Sequence, residues 1–134
     1  MSHAPIFVAN QQEALEFYRD KLGFKVHTDV TMDGGFRWVT VGPPAQPGFE
    51  IILIEPKAGF MFDEATANQL RSLVEKGALG AGVFFTPDCE AAYEDLKGKG
   101  VEFISPPQDK FYGIEAIFKD NSGNWFSLTQ EKEH

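Results

Sequence analysis

Few side chains in this sequence are placed to do chemistry unaided. The single cysteine, Cys89, follows Asp88 at the start of an expected helix. A helix N-terminus lowers a thiol pKa and would favour a reactive thiolate. No histidine stands beside it to act as a base, and a small buried cysteine is the plainer reading. His27 falls on the strand face opposite the apolar residues, which predicts an exposed side chain. His3 lies near the terminus, where fraying is common. Trp38, Phe84, Tyr112 and Trp125 sit on expected strands, where core packing is the default and one or two should face a cleft. There is no glycine-rich phosphate loop, no CxxC pair and no defensible Ser-His-Asp arrangement.

The elements that must position these residues follow from periodicity. Residues 5–9 read as a short apolar strand, and Asn10 can cap a helix over residues 11–22, with Ala14, Leu15, Phe17, Tyr18 and Leu22 on one stripe. Gly23 ends it. Residues 24–29 alternate as a half-buried strand, Asp33-Gly34-Gly35 makes a hairpin turn, and residues 36–41 and 49–55 supply two more strands. Residues 63–76 form a linking helix with Leu70, Leu73 and Val74 as its stripe. The segment Phe60-Met61-Phe62 before it would suit a lid over an apolar ligand, or simply pack on the body.

The pattern then repeats. A strand over residues 81–86 is followed by a helix beginning at Pro87-Asp88, with Ala92, Tyr93 and Leu96 on its stripe. Residues 101–104 form a strand, Ser105-Pro106-Pro107 a loop, and residues 112–118 and 124–129 strands flanking the tight turn Asp120-Asn121-Ser122-Gly123. An internal repeat is the strongest organising signal in a sequence. The expected fold is therefore α+β, one domain over residues 1–134: two tandem βαβββ units, at about 4–56 and 80–130, joined by the linking segment at about 57–79. Their sheets form a curved mixed sheet around a central cleft. Alternate residues of a concave sheet can line a pocket for a small molecule.

Composition sets the bounds. The chain has 134 residues, is 43% hydrophobic and contains 13 Phe, enough for a core without a disulfide or metal. Its 20 acidic and 12 basic residues give a net charge of −8, which argues against nucleic acid and anionic membranes. The lone cysteine fits a reducing compartment, and no signal peptide or membrane-length apolar run is evident. The reading is a soluble, cytoplasmic protein.

Glu16-Phe17-Tyr18-Arg19-Asp20-Lys21-Leu22-Gly23-Phe24 resembles the FY…LGF signature of the glyoxalase, bleomycin-resistance and extradiol-dioxygenase superfamily, the vicinal oxygen chelate proteins. Asp120-Asn121-Ser122-Gly123-Asn124 resembles that superfamily's DPxGN turn, with Asn121 in place of proline, and Tyr93 to Val101 resembles its second helix and strand. The resemblance covers nearly the whole chain. It implies paired βαβββ units, a homodimer and, in the enzymes, a divalent metal held by the first and last strands of each unit. Carried over by position, the four ligands fall on His3, Glu50, Gly82 and Ser127. Glycine offers no ligand and a hydroxyl is a poor one. Glu50 is otherwise a solvent-facing residue or a pocket carboxylate able to act as a base, the catalytic candidate.

The function this predicts is small-molecule binding of the bleomycin-resistance type. An apolar or aromatic ligand would meet Trp38, Phe84, Tyr112, Trp125 and Ser127 in the cleft, without a complete metal site or other cofactor. The alternative is a divalent-metal-dependent lyase or dioxygenase, glyoxalase-like, using His3 and Glu50. A third reading is a regulatory domain that binds a protein partner.

Overall fold

Strand alternation in each half of the chain resolves into a four-stranded mixed sheet of its own. The computed structural model describes residues 1–59 and 61–132. The first unit comprises β1 (His3–Phe7), α1 (Gln11–Glu16), β2 (Lys25–Thr31), β3 (Arg37–Gly42) and β4 (Glu50–Ile54). After the linking helix α2 (Glu64–Glu75), the second repeats it as β5 (Gly80–Phe85), α3 (Cys89–Gly98), β6 (Phe103–Lys110), β7 (Gly113–Lys119) and β8 (Trp125–Glu131). The strand orders are β1-β4-β3-β2 and β5-β8-β7-β6, and in both the first strand runs parallel to the fourth.

Helices α1, α2 and α3 each carry a side-chain cap, as expected for Asn10. The side chains of Asn10, Asp63 and Asp88 accept backbone N–H groups of Glu13, Thr66 and Ala91. The first helix does not stay α to its end. Residues Phe17–Lys21 form a π-helical turn, which seats both Phe17 and Tyr18 in the core. Of the stripe expected in α2, Val74 is buried and Leu70 half-buried while Leu73 is exposed, and Ala67 is the other buried position.

Two other expectations are corrected. Ser105-Pro106-Pro107 is not a loop, because β6 runs straight through it. Proline is tolerated there because β6 is an edge strand, and the pairing with β7 skips from Ser105 to Gln108. His27 is not fully exposed. It is the extra residue of a β-bulge between Val26 and Thr28, which leaves it half-buried with its ring against Gly42.

One core joins the units. Val39, Val41, Ile51 and Leu53 from the first sheet and Ala116, Phe118, Phe126 and Leu128 from the second share a cluster with Leu15, Phe17 and Tyr18. Ring contacts cross the boundary, Tyr18 to Phe126 at 6.3 Å and Phe24 to Phe84 at 5.4 Å. Polar bonds cross it too. The fully buried Tyr18 hydroxyl donates to Asp120 Oδ2 at 2.7 Å. Asp120 Oδ1 accepts the backbone N–H groups of Ser122, Gly123 and Asn124. Asn124 Nδ2 donates to Asp120 Oδ2 and to the Phe7 carbonyl, and Ser122 Oγ accepts the Ala9 N–H. Gly123 takes φ +112°, and a Cβ there would lie 2.5 Å from the Val74 carbonyl oxygen, so only glycine fits.

Burial, then the charge of Asp120, holds the Tyr18 hydroxyl well above its ordinary pKa. Tyr18→Phe keeps the ring but strips one donor from a buried carboxylate. It should lower stability by about 1–3 kcal/mol, read by urea denaturation, with an unchanged m-value.

Candidate functional site

Each sheet has one face in the shared core, which leaves the other face free to present chemistry. On the first sheet the other face carries His3, Glu50 and Trp38, with Thr40 fully buried among them, because their neighbours Val39, Val41, Ile51 and Leu53 point inward. On the second it carries Val83, Phe85, Glu115, Ser127 and Thr129, because Phe84, Ala116, Phe126 and Leu128 point inward.

The first open face brings His3 and Glu50 together. They are direct register partners across β1 and β4, and His3 Nε2 lies 3.0 Å from Glu50 Oε2. Glu50 Oε1 accepts the Thr40 hydroxyl at 2.7 Å. That hydrogen bond chiefly, with the nearby imidazoles of His3 and His27, holds the Glu50 carboxyl below its usual range. His3 is therefore part of a strand and has a carboxylate partner, rather than being a frayed end. Trp38 lies two residues along from Thr40, its ring 6.3 Å from that of Phe36.

The second open face is built differently. Gly82 pairs with Phe126, while Ser127 pairs with Val83, because β5 slips by one residue between Gly80 and Gly82. Gly82 and Ser127 thus do not face each other as His3 and Glu50 do. Ser127 Oγ instead donates to Glu115 Oε2 at 2.5 Å and lies 2.7 Å from Thr129 Oγ1. The Tyr112 hydroxyl donates to Glu115 Oε1 at 2.5 Å. Glu115 is the residue the sequence reading missed. It lies on an alternating strand with nothing local to mark it, and its partner Ser127 is reached only across the β7–β8 pairing. The Ser127 bond first, then the Tyr112 bond, keeps its carboxyl below the usual range.

A metal of the kind held by enzymes of the resembled superfamily needs more donors than these. His3 and Glu50 could supply two, Gly82 supplies none, and the Ser127 hydroxyl is engaged with Glu115. Among the described residues no group of three or more His, Cys, Asp and Glu is arranged to hold a metal ion. The complete site does not fit this chain.

A cavity of about 410 Å³ lies on the second open face, lined by Val83, Phe85, Tyr112, Glu115, Ser127, Thr129 and Glu131. Val83 and Phe85 are 58% and 68% exposed, unusual for strand residues of this size. Trp125 covers Gly80, where a Cβ would come within 2.5 Å of its ring, and stays outside that cavity. Phe84 points the opposite way, stacked among Phe24, Phe118 and Phe126. It borders a second, apolar crevice of about 500 Å³ between the units, with Leu22, Ala45 and Leu96. The five expected ligand contacts are therefore not one group. Tyr112 and Ser127 share a cavity, Trp38 and Trp125 lie on open faces elsewhere, and Phe84 serves the core side.

In the expected lid, Phe62 packs its ring 5.8 Å from Phe7 and Met61 is exposed, while Phe60 is outside the described residues. Met61 and Phe62 border a cavity of about 530 Å³ with Gln11, Gln12, Phe36 and Arg37. Arg37 there is committed to a two-pronged pair with Asp29. Cys89 is fully buried, its thiol 3.4 Å from the Leu128 carbonyl oxygen, and burial raises its pKa, the reverse of an activated nucleophile.

The model of the Glyoxalase/Bleomycin resistance protein/Dioxygenase superfamily matches residues 1–128. The chain belongs to that superfamily. Its relatives include the protein YurT of Bacillus subtilis, 38% identical over 127 residues that cover 94% of each chain. Among solved structures, UcmS2 is 43% identical with a TM-score of 0.91 over 96% of both chains. TnmS3, an antibiotic binding protein from Streptomyces sp. CB03234, shares the fold at 23% identity and a TM-score of 0.76, covering 98% of this chain and 95% of its own.

The Glu115 carboxyl should titrate below a free glutamate in a carbon-detected NMR titration, and Ser127→Ala should move its midpoint upward. Because the folded pKa is depressed, the associated stability is present above the unfolded-state value. It is lost as pH falls through the folded one.

Proposed function

We propose that this protein is a cytoplasmic, homodimeric small-molecule-binding protein that takes an apolar or aromatic ligand on the open sheet faces without a complete metal site. The carrying observation is the second-sheet cavity. Val83 and Phe85 present apolar surface to solvent beside the hydroxyls of Tyr112, Ser127 and Thr129, while the opposite face of the same sheet is filled by core. Apolar walls with a few convergent polar groups are the usual make-up of a ligand pocket. Tyr112 and Ser127 are its proposed contacts. Trp38 would contact a ligand on the open face of the first sheet, Trp125 one at the margin of the second, and Phe84 only a ligand that also enters the apolar crevice. The membership of the superfamily, and the antibiotic binding described for TnmS3, support the class. The superfamily resemblance supports the dimer, and the absence among the described residues of any helix long and apolar enough to cross a membrane is compatible with the location.

A second reading has one specific observation behind it. The His3–Glu50 pair at 3.0 Å would serve a divalent-metal lyase or dioxygenase if other donors completed the site, with Glu50 as the catalytic base or a ligand. Two measurements separate the readings. Nile red should bind saturably to the purified protein, unaffected by chelator, and Val83→Asp should abolish that binding. Light scattering should give twice the chain mass. A stoichiometric metal that survives dialysis and is lost in Glu50→Ala would instead establish the metal-dependent reading.

A further inference from the structure

The second-sheet cavity contains a feature that an apolar ligand leaves unused. Glu115 sits on its floor with each carboxylate oxygen taken by one hydroxyl, Tyr112 on Oε1 and Ser127 on Oε2. A carboxylate offers about four acceptor positions, so both oxygens keep capacity. Hydroxyl donors hold the group in one orientation without cancelling its charge. Among the described residues no lysine, arginine or histidine forms an ion pair with Glu115 or with Glu131, the other carboxylate lining the cavity. Lys110 is the one basic group with a resolved influence on it, and that influence ranks below both hydrogen bonds and burial.

The surroundings are asymmetric in a way that suits a cation. Beside the carboxylate, across Ser127 and Thr129 of β8, stand the exposed side chains of Val83 and Phe85, and Tyr112 is hydrogen-bonded to it. An aromatic face attracts a positive charge within about 6 Å of its centre. A hydroxyl-braced anion without an ion-pair partner, beside aromatic and aliphatic side chains, favours a ligand with an apolar body and a protonated amine.

We infer that the second-sheet cavity selects amine-bearing aromatic or apolar molecules, with Glu115 as the specificity-determining residue that receives the ammonium group. This rests on the binding reading above and names the ligand class of the same site. Ser127 and Tyr112 are positioning residues that aim the carboxylate.

The test is a matched pair of probes, 1-naphthylmethylamine and 1-naphthylmethanol, followed by chemical-shift titration of the Val83 methyls and the Ser127 and Thr129 amides at neutral pH. The amine should bind the wild-type protein about tenfold more tightly, the effect of one partly screened ion pair. The preference should shrink as salt is raised. Glu115→Gln keeps the size and one acceptor oxygen, and should bring the amine down to the alcohol. Equal affinity of the two probes for the wild type overturns the amine assignment and leaves the binding reading intact. A preference that persists in folded Glu115→Gln overturns the role of Glu115. Saturable binding of neither probe removes the amine assignment and the binding reading together.

Discussion

The arrangement of the whole chain depends on how one buried carboxylate is satisfied. Asp120 lies inside the protein, and an ion in such a place is tolerated only when its lone pairs are filled. Three backbone amides of its own turn, the Asn124 side chain and the Tyr18 hydroxyl fill them. The first four are local. Tyr18 is 102 positions away in sequence, and it reaches the turn only if the first helix lies against the second sheet. The two stretches that mark the superfamily, around Phe17-Tyr18 and around Asp120, are thus the two ends of a single contact. This contact ties the first helix to the second sheet beside the shared core.

The two open faces are unequal. Their scaffolds are nearly superposable in order, yet the strand pairing that brings His3 opposite Glu50 is not reproduced in the second unit. A one-residue slip near Gly80 sets Val83 against Ser127 and turns Gly82 toward Phe126. With apolar Val83 opposite it on β5, Ser127 donates across to Glu115 on β7. One half of the repeat keeps a histidine–carboxylate pair, and the other has become a hydroxyl-braced carboxylate in an apolar surround.

Much of this was legible in the sequence and some was not, for identifiable reasons. The βαβββ order, the cap at Asn10, the helix start at Pro87-Asp88 and the turn at Asp120 depend on neighbours in sequence, so local pattern carries them. The pairing of His3 with Glu50 came through the superfamily resemblance, not through local pattern. Glu115 was invisible because its significance comes from the adjacent strand. Phe84, expected as a ligand contact, borders the apolar crevice between the units instead of the second-sheet cavity, for a related reason. Its side depends on the register of β5, and a single slip reverses which residues of a strand face inward. Pro106 and Pro107 suggested a loop because an edge strand relaxes the rule that prolines end strands.

Those two prolines also protect the protein from its own sheets. β6 forms the outer margin of the second sheet, and such a margin ordinarily offers a row of backbone groups on which a foreign strand can assemble. Adjacent prolines remove a donor from each side of the strand, which breaks the register with β7 and interrupts the outer row at the same place. The sheet is thereby terminated as well as bounded, and a chain rich in phenylalanine is kept from growing into fibrils along that side.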